Sequence, residues 1–194
     1  MFFERLLLAS GNRHKYEEFL ELLPRQVVKE LVFAPDSIPL EVEETGTTYA
    51  MNAILKARAW ALSSGLPSLA DDSGIEVEAL QWRPGVRSAR IVEGDDAARN
   101  RWLLDQMRGR NDRRAHFVAA VALVVPGEWT LVCEGVCDGR AGEREAGENG
   151  FGYDPLFIPD GYDVTMAELP PVLKNRISHR ARAVSVLLEI LGEE

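Results

Sequence analysis

Asp71 and Asp72 stand back to back in LADDSGIEVEAL, between an apolar run and an alternating apolar/acidic run. Adjacent carboxylates repel, so a chain that places them beside a buried strand has a use for a nearby positive charge. Mg2+ suits such a pair, because it takes a few hard carboxylates and otherwise keeps water or binds phosphate oxygens. Glu43 and Glu44, ahead of the run YAMNAILKARAWALSS, offer a further carboxylate. The same residues also have a plain reading. Asp-Asp-Ser-Gly is good turn chemistry, and glutamates ahead of a helix suit its dipole. On spacing alone the turn comes first.

Two other segments carry more polar punctuation than packing requires. SGNRHK, Ser10 to Lys15, reads as a strand–turn–helix junction. Helix N-termini present unpaired N–H groups that suit a phosphate, and Lys15 sits at the end where the dipole disfavours a cation. A cation there implies an expected anion, although a solvated lysine after a turn has the same sequence. The spacing is not that of the Gly-x4-Gly-Lys-Ser/Thr phosphate loop. The other segment is GFGYDPLF followed by KNRISHR. Gly150 and Gly152 permit close backbone approach, and Phe151 and Tyr153 offer rings for stacking a base. Lys174, His179 and Arg180 add donors. A tight turn with core rings and solvated basic residues would show the same letters.

The elements that must hold these residues follow from periodicity. RLLLA, Arg5 to Ala9, reads as a buried strand, and RHKYEEFLELL as a helix with Phe19, Leu22 and Leu23 inward. VVKELVFA reads as a second strand. Thr47 or Thr48 caps a longer helix whose Ala50, Ala53, Ile54, Ala57 and Ala61 form an apolar stripe. Asn52 and Lys56 lie four apart on another face of that helix. SLADDSG and IEVEAL are expected as two strands meeting at a turn, and DDAARNRWLLDQM as a helix capped by Asp95 or Asp96. AHFVAAVALVV and WTLVCEGVC are expected to form a hairpin over Pro126-Gly127. The last helix is capped by Ser178, with Val184, Leu187, Leu188 and Leu191 facing a core. Strands and helices alternate irregularly, which predicts α/β with a mixed sheet.

Bulk composition narrows the function classes. The 194 residues are 46% hydrophobic and 27% charged, enough for a sizeable core. With 22 basic and 31 acidic residues, a formal charge of −9 argues against nucleic-acid coating or anionic-membrane binding. A locally basic pocket for a phosphorylated small molecule remains compatible. Cys133 and Cys137 would share a strand face roughly 13 Å apart, too far for a disulfide. His14, His116 and His179 are far apart in sequence, so zinc ligation is not indicated. MFFERLLLAS is too short for a signal peptide, and no apolar run approaches the ~20 residues of a membrane span. A soluble cytoplasmic protein is expected.

Taken together, these blocks resemble the inosine triphosphate pyrophosphatase family. The matching pieces are LLLASGNRHKYEEF, EETGTTYAMNAILKARA, LADDSGIEVEAL, RPGVRSAR, GFGYDPLFIP, AEL and KNRISHRARAV, in the family's order from near Leu6 to near Val184. GFGYDP with SHR is the most specific part. The resemblance implies a single 1–194 domain: an elongated mixed sheet flanked by helices, in two lobes with the site in a central cleft. It implies Mg2+-dependent hydrolysis of a non-standard purine nucleoside triphosphate (inosine, deoxyinosine or xanthosine) to the monophosphate and pyrophosphate. It also implies a homodimer.

Carried onto this sequence, the family pattern assigns phosphate binding to Ser10, Gly11, Asn12, Arg13, His14 and Lys15, with Lys15 the principal charge. Asp72 becomes the general base and, with Glu43 or Glu44, a Mg2+ contact. Asp71 and Lys56 complete the polar cluster, and Ser73 touches substrate. Phe151, Gly152, Tyr153 and Asp154 hold base and sugar, while Lys174, His179 and Arg180 read the base edge. His14 replaces the usual glycine, Met51 the usual glutamate and Arg87 the usual tyrosine. Two other readings share much of this pattern. A Maf-type pyrophosphatase for pyrimidine or modified bases lacks the SHR and GFGYDP blocks, and a nucleotide-binding regulator would be marked by loss of Asp72 or Lys15.

Overall fold

The computed structural model describes residues 1–36 and 40–192. Among these residues seven strands form one mixed sheet in the order β2-β1-β3-β5-β6-β7, with β4 paired to β3. The strands are β1 (Phe3–Leu8), β2 (Val28–Phe33), β3 (Ser68–Val77), β4 (Arg83–Pro84), β5 (Arg114–Val125), β6 (Trp129–Ala141) and β7 (Phe157–Pro159). The helices are α1 (Arg13–Leu22), α2 (Tyr49–Ser64), α3 (Asp96–Gln106), α4 (Pro171–Ile177) and α5 (His179–Ile190). β1 runs parallel to β2 and to β3, whereas β4 pairs antiparallel with β3 and β7 with β6. This is the predicted α/β mixed sheet.

The chain divides into two compact units. The first holds Met1–Asp72, Ala119–Gly135 and the residues from Arg180 onward; the second holds Ser73–Val118 and Val136–His179. In the first unit, Leu6, Leu8, Phe19, Leu69, Val121 and Leu187 belong to one buried cluster. The registers Leu6↔Leu31 and Leu8↔Leu69 bring apolar side chains of neighbouring strands together. In the second unit, Ile75, Leu103, Phe117, Tyr153 and Phe157 form the corresponding cluster. Cys133 and Cys137 are buried, one in each cluster, and form no disulfide, as their strand spacing implied.

Helix ends follow the expected chemistry. Asn12 caps α1 by accepting from the N–H groups of His14 and Lys15, and Thr48 caps α2 by accepting from Met51. α2 ends at Gly65 in the left-handed region (φ 69), a conformation that favours glycine. Along α2 the buried residues are Tyr49, Asn52, Ala53, Ala57, Trp60 and Ala61, so the predicted alanine stripe faces inward at Ala53, Ala57 and Ala61. Ser178, extended at φ −65 and ψ 155, separates α4 from α5.

One expectation is corrected. SLADDSG and IEVEAL are not two strands meeting at a turn; Ser68–Val77 is one uninterrupted strand, buried along most of its length. A carboxylate forces the chain to the surface only when nothing inside can offset its charge. Here the offsetting groups are inside.

Candidate active site

The first unit gathers a charged cluster around the two aspartates of β3. Asp71 is fully buried, and its Oδ2 accepts from both Nη2 and Nε of Arg180, at 2.7 and 3.1 Å. The ammonium of Lys15 lies 3.0 Å from the same oxygen. Arg180, also buried, donates through Nη1 to Glu18, one turn along α1 from Lys15. Burial alone would raise the Asp71 pKa, but Arg180, Lys15 and Lys56 outweigh it and hold the carboxyl well below the usual carboxylate range. Burial also lowers Lys15, against the pull of Asp71. Asp71 is therefore a permanently ionised anchor between two cations.

Asp72 has the opposite setting. The side-chain period of two turns it away from Asp71, to the other face of β3. There Asn52 Nδ2 donates to its Oδ2 at 2.9 Å, and Lys56 Nζ lies 3.8 Å from its Oδ1. Burial raises its pKa, with Lys56 and the Asn52 hydrogen bond opposing only in part. Lys56 also donates to Glu44 Oε1 at 2.6 Å. Asn52 and Lys56, four apart on α2, thus reach one carboxylate from one helix face, as their spacing suggested. Asn52 Oδ1 accepts from the Gly46 N–H at 2.7 Å and so ties the Glu44 loop to α2. A Cβ on Gly46 would lie 2.5 Å from that oxygen, which explains the glycine.

The second unit contains the glycine-rich loop. Asp154, buried, accepts from the Phe151 N–H at 2.9 Å and from Lys174 Nζ at 2.5 Å. The same ammonium lies 4.9 Å from the Phe151 ring centroid. The Gly152 N–H donates to Asp96 at 2.7 Å, and the Tyr153 hydroxyl donates to the Ser88 carbonyl at 2.9 Å. Burial raises the Tyr153 pKa, which keeps the hydroxyl a donor at any working pH. His179 is buried and stacked on Phe117, with centroids 4.7 Å apart. Gly150 sits at φ +79, and a Cβ there would lie 2.1 Å from Asp154 Oδ2. Gly150→Ala is expected to cost about 2 kcal/mol or more, from left-handed strain plus disruption of Asp154. Urea denaturation measures it, with an unchanged midpoint as the contrary result.

A ring platform held by hydrogen bonds and a buried carboxylate pair flanked by lysines match the blocks that the sequence singled out. The Ham1 family model covers residues 6–190 of the chain. The chain belongs to the Ham1 family. It is 48% identical to a dITP/XTP pyrophosphatase from Nocardia farcinica, over 97% of this chain and 95% of that one. A Ham1 protein structure from Coxiella burnetii superposes with a TM-score of 0.87 at 40% identity, covering 98% of this chain and all of the other. The Staphylococcus aureus Ham1 protein gives 0.85 at 38% identity, covering 97% and 98%.

Against the Ham1 pattern, the structure gathers some expected residues and disperses others. Lys15, Asp71, Asp72, Lys56 and Glu44 lie in the first unit's cluster, whereas Glu43 is exposed. Within SGNRHK, Lys15 reaches Asp71. Asn12 serves as the helix cap, and Ser10 accepts from the Asn12 N–H. Arg13 packs over the Tyr16 and Phe33 rings, and His14 faces solvent near Glu17. Gly11 is exposed, with open space where a Cβ would stand, and Ser73 is half-buried in the second unit. Lys174 and His179 lie in the second unit, but Arg180 belongs to the first, where it holds Asp71 and Glu18. The departures His14, Met51 and Arg87 all fall at exposed positions. Sequence reading missed Glu18, Asp96 and Ser88. Glu18 carried one signal, standing three residues after Lys15 on α1, while Asp96 was hidden as a cap candidate, a place Asp95 takes.

Proposed function

We propose that this chain is a nucleoside triphosphate pyrophosphohydrolase that clears non-standard purine nucleotides, with inosine, deoxyinosine or xanthosine bases, from the nucleotide pool. Adjacent carboxylates in opposite settings carry the reading. Asp71 is locked as an anion between Arg180 and Lys15, while Asp72 has a raised pKa and only partial compensation. Environments that push apart the pKa values of paired titratable groups mark acid–base roles.

In this account Asp71 and Arg180 hold Lys15 at the phosphates, where its charge offsets that of the transferring group. Asp72 takes the proton of the attacking water, and the α–β anhydride bond breaks to give monophosphate and pyrophosphate. Phe151, fixed by Asp154 and Lys174, provides the stacking face for the base. Lys174 and His179 supply donors that suit a 6-oxo group and would face a donor in adenine, a costly buried mismatch. Arg180, committed to Asp71 and Glu18, acts through Asp71 and not on the base.

Mg2+ is the proposed cofactor. Glu44 and Asp72 both direct an oxygen at one ammonium, so two hard donors already converge on a cation. Among the described residues no group of three or more His, Cys, Asp and Glu converges on one point, which fits a metal that takes few protein ligands and several phosphate oxygens. Bound there, Mg2+ would neutralise phosphate charge and order the triphosphate. No described helix is long and apolar enough to cross a membrane. A cytoplasmic homodimer is proposed on the resemblance alone, and light scattering should give twice the chain mass.

The test is a rate comparison among inosine, guanosine and cytidine triphosphates, each with and without Mg2+. Metal-dependent turnover of inosine triphosphate at least tenfold faster than of the other two is expected. Equal rates on all three, or preference for cytidine triphosphate, would overturn the base assignment.

A further inference from the structure

We propose that Lys56 closes the Glu44–Asp72 pair to free divalent cations, so that the metal enters with the triphosphate instead of residing in the nucleotide-free protein. The inference rests on the pyrophosphohydrolase reading for the identity of the arriving anion.

The geometry begins with the convergence of three groups. Lys56 Nζ lies 2.6 Å from Glu44 Oε1 and 3.8 Å from Asp72 Oδ1. The lysine and aspartate side chains are 13% and 10% exposed, so water screens the contacts only weakly. Asp72 is held independently of the lysine, and so is the loop on which Glu44 stands. Asn52 fixes the other oxygen of Asp72 at 2.9 Å, and through the Gly46 N–H it fixes the loop that carries Glu44.

Lys56 is therefore a tethered monovalent cation at the place where a divalent ion would find both oxygens. A free Mg2+ would meet a positive charge within about 4 Å and must displace it, yet it brings no anion for the ammonium to move to. The flexible four-carbon stem of lysine allows that move when an anion is supplied. A triphosphate supplies one, together with the additional oxygens that Mg2+ prefers. Metal and nucleotide binding then become mutually dependent, and the coupling is reciprocal by linkage. Such a site does not hold metal between turnovers.

Isothermal titration of the wild-type protein with MgCl2 alone should show no saturable binding up to several millimolar. Adding a non-hydrolysable α,β-methylene inosine triphosphate analogue should bring binding into range. Lys56→Met should bind Mg2+ alone at least tenfold more tightly than wild type, with Lys56→Gln as a second neutral variant. Lys56→Arg, which retains the charge, should restore weak binding. Saturable sub-millimolar binding of Mg2+ alone to the wild type, or equal affinity in wild type and both neutral variants, would overturn the proposal. None of these titrations contains a hydrolysable nucleotide. A protein without pyrophosphohydrolase activity could still show the lysine effect, so the two readings fail separately.

Discussion

Asp72→Asn is expected to lower kcat on inosine triphosphate by about 1,000-fold, within the 10²–10⁴ range of general-base contributions. Substrate with Mg2+ still raises the thermal midpoint of the variant, because phosphate and base contacts remain. The folded protein is expected to gain stability at the same time. The raised Asp72 pKa means that burial disfavours its charged form, so its favourable contribution is present below the unfolded value and is lost as pH rises through the folded one. At neutral pH the aspartate is a net cost that an amide removes. A general base works only when ionised, so wild-type turnover falls as pH drops through the Asp72 pKa of the working complex, and this acid limb is missing from the residual activity of the variant. Near-normal turnover in Asp72→Asn would remove this residue from the mechanism.

Arg180→Ala is expected to destabilise the fold by about 3–5 kcal/mol, the usual consequence of leaving a buried charge without its partner. Asp71 and Arg180 side chains are 0% and 1% exposed, so bulk solvent does not screen the carboxylate that is left behind. Lys15, with Lys56 farther off, must then compensate Asp71, and Glu18 loses its guanidinium neighbour on α5 as well. Acidification separates this effect from lost packing. Asp71 is held below its unfolded pKa, so its contribution to stability is complete above about pH 4 and disappears as pH falls toward the folded value. Wild-type stability should decline over that acid range, and Arg180→Ala should flatten the decline. Urea midpoints across pH measure both, and a loss below 1 kcal/mol at neutral pH would mean that Asp71 does not depend on Arg180.

The sheet class and most elements were legible in the sequence because hydrophobic period and cap residues act locally. Asn12, Thr48 and Asp95 cap the helices where such residues are preferred. The same local logic failed at Asp71 and Asp72. Asp-Asp-Ser-Gly is a turn by its own chemistry, yet it is strand here because Arg180, more than a hundred positions away in sequence, comes within hydrogen-bonding distance of Asp71. Tertiary context overrode propensity at the pair to which the account assigns the chemistry. Arg180 shows the complementary difficulty. Its neighbour His179 stacks in the second unit, while Arg180 is committed in the first, so adjacent letters of one motif take different roles. Spacing identified Asn52 and Lys56 because an i,i+4 relation is local. It could not show that Glu44, and not Glu43, meets Lys56.

Product identity tests cleavage at the α–β bond most directly. Inosine triphosphate, Mg2+ and the wild-type protein are followed by phosphorus NMR to completion. Inosine monophosphate and pyrophosphate in equal amounts, with no diphosphate intermediate, are the result expected if the Asp72 cluster acts at the α–β bond. Inosine diphosphate with orthophosphate would place cleavage at the terminal phosphate and contradict the account.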